Sequence, residues 1–215
     1  MKNTIKYLIL LIIYLVCGVN LQAQNYTFRN VVMSDGLSGL LVNAIYKDSE
    51  GFVWLGTDNC LDRFDGVKVR HYEFRGVDSG RKKRVNCITE TADDQLWVGN
   101  GIGLWRLNRA NGQLERIVPE KIDFAVNTLL PDGDILYIGT EKGLFIQKDG
   151  QLLQVLTDRN MLAACNRIMD LCLNEDKSAL WLATVQGLFS YSLKDGKIDS
   201  CISRRMFPRP ITSAA

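Results

Sequence analysis

Val53-Trp54-Leu55-Gly56-Thr57 is the first of four similar stretches along the chain. Its counterparts are Leu96-Trp97-Val98-Gly99-Asn100, Leu136-Tyr137-Ile138-Gly139-Thr140 and Leu180-Trp181-Leu182-Ala183-Thr184. The aromatic residue returns after 43, 40 and 44 residues. Self-similarity at such a period predicts a repeat architecture.

Two further sets of residues keep the same period. Upstream of each aromatic, an apolar residue is followed three positions later by another: Val42/Ile45, Val85/Ile88, Val126/Leu129 and Ile168/Leu171. Downstream of each aromatic lies a leucine, preceded by glycine in the last three units: Leu61, Leu104, Leu144 and Leu188. Because three independent sets stay in step, the repeat is not a chance similarity.

Each unit divides into four short strands separated by turn residues. In the first unit the predicted strands are 42–47, 52–56, 61–64 and 67–74. The turn at Asp65-Gly66 is a strong hairpin signal, because glycine accepts the positive φ that tight turns need. Four antiparallel strands in roughly 40–45 residues are typical of a propeller blade. The predicted fold is therefore all-β, a β-propeller with about four four-stranded blades.

The recurring aromatic and glycine are predicted to be structural. Each blade buries its faces only against the blades beside it. An aromatic that returns once per blade is expected to pack between blades, and the glycine is expected to leave room for the neighbouring sheet. The predicted anchors are Trp54, Gly56, Trp97, Gly99, Tyr137, Gly139 and Trp181.

The three sets of residues also predict how the chain is divided. After a lead-in strand over 24–41, the predicted blades are 42–84, 85–125, 126–167 and 168–210, and residues 211–215 begin a fifth. A propeller must close to protect its strand edges. We therefore expect an incomplete ring, from a truncated gene product or a partial record, with a complete four-bladed ring as the alternative.

The N-terminus predicts export. Lys2 and Lys6 precede an apolar run over 7–19, and Ala23 is a plausible cleavage point, so residues 1–23 are typical of a signal peptide. A membrane anchor is the alternative, but this run is shorter than the roughly 20 residues needed to span a bilayer. A lipoprotein signal ending at Cys17 is disfavoured, because Val16 is not a small residue. The expected location is the periplasm, with no membrane span in the mature chain.

Residues 26–74 resemble the two-component regulator propeller family. The resemblance rests on Asp35-Gly36-Leu37-Ser38, on the run over 42–57 and on Leu61-Asp62-Arg63-Phe64-Asp65-Gly66, and it weakens in the fourth unit, where Ala183 replaces glycine. It implies the periplasmic sensor of a hybrid two-component system, many of which respond to oligosaccharides. It also implies a ring of about seven blades, a glycan ligand and scope for a homodimer in the complete receptor.

Several features are given structural interpretations. Family members carry a histidine kinase beyond the propeller, and no such region is present in this sequence. His71, the one histidine, falls in a predicted strand and is interpreted as an ordinary strand residue. Gly99-Asn100-Gly101-Ile102-Gly103 resembles a phosphate-binding loop but aligns with the turns of the other units. Cys60 departs from the family pattern, which favours glycine before Leu61, and is expected to alter that turn.

Charge and cysteine usage exclude some classes of function. Cleavage after Ala23 would leave 24 basic and 24 acidic side chains, so the surface has little attraction for nucleic acid. The basic run over 81–84 is interpreted as a solvated loop. The mature cysteines have irregular spacing and form no CxxC pair, so no disulfide framework, metal site or cofactor is predicted. They are Cys60, Cys87, Cys165, Cys172 and Cys201.

Three functions remain open at this stage. The leading one is non-catalytic sensing of an extracellular glycan, as the resemblance implies. An interaction scaffold is the second, because propellers commonly provide one. A glycan hydrolase or lyase is the third, although no catalytic set of side chains stands out. The sequence names no ligand-binding residue.

Overall fold

The computed structural model describes residues 5–7, 28, 30–77, 83–117, 122–155 and 167–203, with side chains as far as 198. The chain forms two compact units, Met1–Val31 and Val32–Ala215. In the first unit residues 5–7 are helical. The predicted cleavage site, Arg81-Lys82, Cys165 and residues 211–215 lie outside the described residues. No described helix has the length and hydropathy that a membrane crossing requires.

The first sheet of the second unit begins at Val42, as predicted. The strands are β1 (Val42–Lys47), β2 (Val53–Thr57), β3 (Leu61–Phe64) and β4 (Val69–Tyr72), each antiparallel to the next. β1 and β3 have their predicted bounds. β4 is shorter than predicted at both ends. At its start, the backbone N–H groups of Val67 and Lys68 donate to the Asp65 carboxylate and so belong to the turn.

Three more sheets repeat this order. The second contains β5 (Val85–Glu90), β6 (Leu96–Asn100), β7 (Gly103–Asn108) and β8 (Gln113–Ile117). The third contains β9 (Val126–Asp132), β10 (Ile135–Thr140), β11 (Gly143–Lys148) and β12 (Gln151–Gln154). The fourth contains β13 (Ile168–Leu173), β14 (Ala179–Thr184), β15 (Gly187–Ser192) and β16 (Ile198–Ser203). The predicted all-β class, with four four-stranded antiparallel sheets, is confirmed. Parts of the links between sheets lie outside the described residues, so the predicted blade bounds stay a prediction.

The first strands of successive sheets lie side by side: β1 contacts β5, β5 contacts β9, and β9 contacts β13. The recurring glycine lies where the next first strand approaches most closely. A Cβ atom on Gly56 would lie 2.4 Å from Val85 Cγ1, and one on Gly99 would lie 2.6 Å from Val126 Cγ1. At Gly139 the nearest atom of the following sheet would be Cγ2 of Ile168, at 2.8 Å.

The recurring aromatic packs against the sheet that follows. Trp54 lies in one cluster with residues of the second sheet, Trp97 with residues of the third, and Tyr137 with residues of the fourth. All three are buried, whereas Trp181 is only half-buried. The structure describes no strand after β16 that could lie over Trp181. The hydrophobic core of this unit is thus a series of layers between adjacent sheets.

Candidate functional site

A polar groove of about 480 Å³ lies at the end of the sheets where their first strands begin. We call it the strand-start groove. It is lined by Arg84, Asn86, Gly101, Ala125, Asn127, Glu141, Arg167 and Met169. These residues come from the starts of β5, β9 and β13 and from the turns after β6 and β10. The backbone N–H of Glu141 donates to the Ala125 carbonyl at 3.1 Å, which holds one such turn against the entering chain.

Two asparagines form the rigid part of this groove. The Asn86 amide donates to the Val126 carbonyl at 2.8 Å, and the Asn127 amide donates to the Ile168 carbonyl at 2.7 Å. Each asparagine therefore links one first strand to the next. Two side chains that bond across sheets in this way fix the spacing of the groove.

The charged residues of the groove are held more loosely. The guanidinium of Arg167 lies 3.9 Å from the Glu141 carboxylate, and both side chains are about half exposed. An exposed pair at this distance is weak and easily exchanged for other partners. With Arg84 on the same rim, the groove offers guanidinium donors and a carboxylate acceptor to a polar ligand.

A second groove, of about 570 Å³, lies at the opposite end between the second and third sheets. Trp97 forms part of its wall and donates its Nε1–H to the Thr91 hydroxyl at 3.0 Å. Arg109 also lines this groove, but its guanidinium binds Glu90 at 2.6 Å and Glu50 at 3.2 Å. Glu50 lies between β1 and β2 of the first sheet and Glu90 on β5 of the second, so Arg109 links these two sheets and has a structural role. The strand-start groove is therefore the better candidate for ligand binding.

A polar corner of the first sheet brings together Cys60, Asp62 and His71. Asp62 is completely buried on β3, and its register partner on β4 is His71. Asp62 Oδ1 lies 2.7 Å from His71 Nδ1 and accepts from Cys60 Sγ at 3.2 Å. Its other oxygen, Oδ2, accepts from the backbone N–H of Ser38 at 2.8 Å and from the Ser38 hydroxyl at 2.7 Å.

This corner is not arranged as a cysteine nucleophile. Burial raises the pKa of the Cys60 thiol to about 12, so the thiolate is disfavoured. The imidazole of His71 hydrogen-bonds Asp62, and Asp62, not His71, accepts from the thiol. The base within hydrogen-bond reach of the sulfur is the Asp62 carboxylate, and its negative charge raises the pKa of the thiol further instead of activating it.

Most of the predicted anchors are not among the residues that line the two grooves. The predicted anchors lie mainly between sheets, and Trp97 also forms part of the wall of the second groove. His71 is on a strand, as predicted, but it also contacts a buried carboxylate. Gly99-Asn100-Gly101-Ile102-Gly103 forms the end of β6, a turn and the start of β7, as the alignment with the other units indicated.

Neither the groove residues nor the polar corner was predicted from the sequence. An asparagine directly follows the first anchor at 43, 86 and 127, and this recurrence was the available signal for the groove. For the corner the signal was spacing: Cys60 and Asp62 are two residues apart on a strand and so share a face. The pairing of His71 with Asp62 depends on strand register.

Residues 36–59 match the family described as two component regulator propeller. The resemblance predicted from the sequence is thereby confirmed. The matched residues run from the lead-in through β1 and β2 to the turn before β3.

A curated histidine kinase, P4, from Formosa agariphila is 32% identical over 79 residues, which is 37% of this chain and 6% of the kinase. Two solved extracellular domains assigned to hybrid two component systems of B. thetaiotaomicron share the fold. One is 21% identical with a TM-score of 0.68, over 81% of this chain and 26% of the other. The second is 24% identical with a TM-score of 0.63, over 80% and 23%. The chain thus spans about a quarter or less of these proteins.

The fold is also shared with an enzyme. Virginiamycin B lyase from Staphylococcus aureus is 17% identical with a TM-score of 0.57, over 74% of this chain and 54% of the lyase. At this identity the similarity shows the propeller fold alone.

Proposed function

We propose that this chain is a ligand-sensing propeller segment of a hybrid two-component system, located in the periplasm and exported by the signal peptide predicted over 1–23. The match of residues 36–59 to the two component regulator propeller family carries the proposal. The fold shared with extracellular domains of such systems supports it. In the whole receptor, a kinase beyond the propeller would supply the signalling activity, and a homodimer would transmit the signal.

The proposed ligand is an oligosaccharide, and the proposed site is the strand-start groove. Oligosaccharides present many hydroxyl groups, each able to donate and accept. The groove provides guanidinium donors from Arg84 and Arg167 and a carboxylate acceptor from Glu141 for these hydroxyl groups. Asn86 and Asn127 hold the strands between these charged groups, so the binding geometry is set before the ligand arrives.

The proposed role is binding without catalysis. Among the described residues that line the strand-start groove, Glu141 is the one carboxylate. Glycoside hydrolysis usually needs two carboxyl groups flanking the scissile bond. The groove residues therefore fit recognition of a glycan better than its cleavage.

A binding screen tests this function. The chain is titrated with neutral and acidic oligosaccharides, and binding is followed by calorimetry. We expect at least one oligosaccharide to bind, and the double variant R84A/R167A to weaken its affinity about tenfold or more, the loss of one to two charge-assisted hydrogen bonds. K197A, which removes an exposed cation from the fourth sheet, is the control and should bind normally.

Three results would contradict parts of the proposal. Failure of every oligosaccharide in a broad panel to bind would remove the glycan assignment. Release of shortened products from the panel by the wild-type chain would show an enzyme instead of a sensor. Equal binding by wild type and R84A/R167A would leave the glycan assignment but move the site away from the strand-start groove.

A further inference from the structure

The polar corner of the first sheet replaces a packing motif that the other three sheets share. At the position of Cys60 the other sheets have glycine: Gly103, Gly143 and Gly187. At the position of Asp62 they have buried aromatic rings: Trp105, Phe145 and Phe189. A thiol and a carboxylate thus stand where the repeat otherwise places a glycine and a hydrophobic core residue.

Three different ligand atoms converge in this corner. Cys60 Sγ, a carboxylate oxygen of Asp62 and a ring nitrogen of His71 all lie within 4.8 Å of one another. Strand geometry explains the convergence, because Cys60 and Asp62 share one face and His71 lies opposite Asp62 in the register of β3 and β4. The third side chain comes from the only histidine of the chain.

Ser38 orients the Asp62 carboxylate. Both hydrogen bonds from Ser38 reach Asp62 Oδ2, so Oδ1 faces Cys60 and His71. Outer contacts of this kind are what orient metal-binding carboxylates in proteins. Among the described residues, His71 is the only basic side chain within 4.0 Å of this fully buried carboxylate. A buried carboxylate needs a compensating positive charge, and a bound cation would provide one.

We propose that Cys60, Asp62 and His71 form a site for a zinc-like divalent cation. A thiolate, an imidazole and a carboxylate are the ligand types that Zn²⁺ takes in proteins, at bond lengths of about 2.0–2.3 Å. Tetrahedral bonds of that length separate the ligand atoms by roughly 3.4 Å. The sulfur-to-oxygen distance of 3.2 Å is already close to this value. The 2.7 Å between oxygen and nitrogen must widen.

His71 can make this adjustment, because its side chain is 47% exposed and Asp62 is fixed. With three protein ligands, the fourth position of the metal would be taken by water on the exposed side of His71. The order of the ligands along the chain also ties β3, β4 and the turn after β2 into one corner, so the cation would stabilise the first sheet as well as bind to it.

Metal binding is tested on the full chain, purified without a histidine tag so that His71 is its sole imidazole. Zinc chloride is titrated against the wild type and against C60G and H71Q. The first variant restores the glycine of the other sheets, and the second changes an exposed side chain. C172S removes a free cysteine of the fourth sheet and is the matched control.

We expect one high-affinity zinc per wild-type chain, retained in C172S and weakened by more than about 100-fold in C60G and H71Q. S38A, which removes only the hydroxyl that orients the carboxylate, should weaken binding by about 10–100-fold, the range typical of outer contacts. Cobalt(II), used as a spectroscopic substitute, should give a thiolate charge-transfer band in wild type that disappears in C60G.

Clear results would overturn the assignment. A wild-type chain that binds no zinc at micromolar concentration would show that the corner is a hydrogen-bond network only. Equal zinc affinity in wild type, C60G and H71Q would place any bound metal elsewhere in the chain. Cobalt bound without a thiolate band would exclude Cys60 as a ligand. Glycan binding is measured separately, so failure of the metal site leaves the proposed sensing function untouched.

Discussion

In the first and third sheets a threonine hydroxyl closes the turn from the second strand into the third, but the two sheets fill this corner with opposite chemistry. In the third sheet Gly143 adopts a φ of +114°, and Phe145 is buried against Phe124, with ring centroids 6.0 Å apart. In the first sheet Cys60 occupies the glycine position, and Asp62 is buried where the ring would be.

The comparison shows that burial at this position is imposed by the fold and not by the type of residue. A propeller sheet covers the first residues of its third strand whatever they are. An apolar ring satisfies that environment by packing, whereas a carboxylate needs its own set of donors. The first sheet supplies those donors from Ser38, Cys60 and His71.

Placing a carboxylate at the matching position of the third sheet, without the donors that surround Asp62, should have the largest effect on stability. In F145D the third sheet would lose a buried aromatic ring, which costs about 3–5 kcal/mol, and would bury a carboxylate opposite Gln154. We expect the free energy of unfolding to fall by more than about 4 kcal/mol. Urea denaturation followed by circular dichroism measures the change.

The control is F145L, which keeps an apolar side chain and should cost less than about 1.5 kcal/mol. An F145D chain as stable as F145L would mean that the third sheet can accommodate a buried carboxylate without dedicated donors. The distinction drawn between the two corners would then be wrong.

Removing the carboxylate from the first sheet should have the next largest effect. D62A would leave the Ser38, Cys60 and His71 donors without their acceptor, and we expect a loss of about 2–3 kcal/mol. The control is D58A in the preceding turn, whose carboxylate accepts from Asn43 at an exposed site and should contribute less than about 1 kcal/mol. Chemical denaturation of both variants without added metal gives the comparison, and equal stability of D62A and wild type would contradict it.

The same contrast explains how much of the fold could be predicted. The strands of all four sheets follow from a pattern that recurs and is reinforced by turn chemistry. Gly51 and Gly66 indeed have φ values of +91° and +97°. The predicted bounds of the fourth strand, 67–74, were wrong at the start, because the backbone N–H groups of Val67 and Lys68 donate to the Asp65 side chain. Such local side-chain hydrogen bonds compete with strand pairing. They do not change the hydrophobic periodicity of the sequence, so that periodicity does not reveal them.

The candidate sites were harder to predict, because they depend on distances between sheets. Asn86 and Asn127 recur in the sequence, yet their partners are backbone carbonyls of the following sheet. The substitution of glycine by Cys60 was visible, but its contact with Asp62 and the pairing of His71 required the register of β3 and β4. Cys60 lacks the positive φ of its glycine counterparts, in line with the altered turn expected there. The Thr57 hydroxyl still donates to the Cys60 carbonyl, as in the third sheet.

A smaller effect is expected where the sheets follow the shared pattern. In G99A the new Cβ atom would lie 2.4 Å from Cys87 Sγ and 2.6 Å from Val126 Cγ1. Both neighbours must move, and overpacking of this kind costs about 1–3 kcal/mol. We expect a loss of about 2 kcal/mol, measured by thermal and urea denaturation.

The opposite change in the fourth sheet is its control. Ala183 occupies the glycine position there and is fully buried. A183G should cost about 0.5–1 kcal/mol, the ordinary penalty of glycine within a strand. If G99A proved neutral, the second sheet would not depend on a missing side chain for its contact with the third.

The smallest effect concerns the pH dependence of the thiol of the second sheet. Cys87 packs beside Gly99 in the layer between the second and third sheets, and burial raises the pKa of its thiol. The folded state therefore holds the proton more tightly than the unfolded state, where the thiol pKa is about 8.5. Its contribution to stability is complete below that pH and is lost as the pH rises above it.

We expect the free energy of unfolding of wild type to fall between pH 8 and pH 10 more steeply than that of C87A. I88V lowers stability without removing a titratable group, so its slope should equal that of wild type. Parallel slopes for wild type and C87A would show that the thiol ionises equally easily in both states, and that the second sheet does not bury it as the layer between the sheets requires.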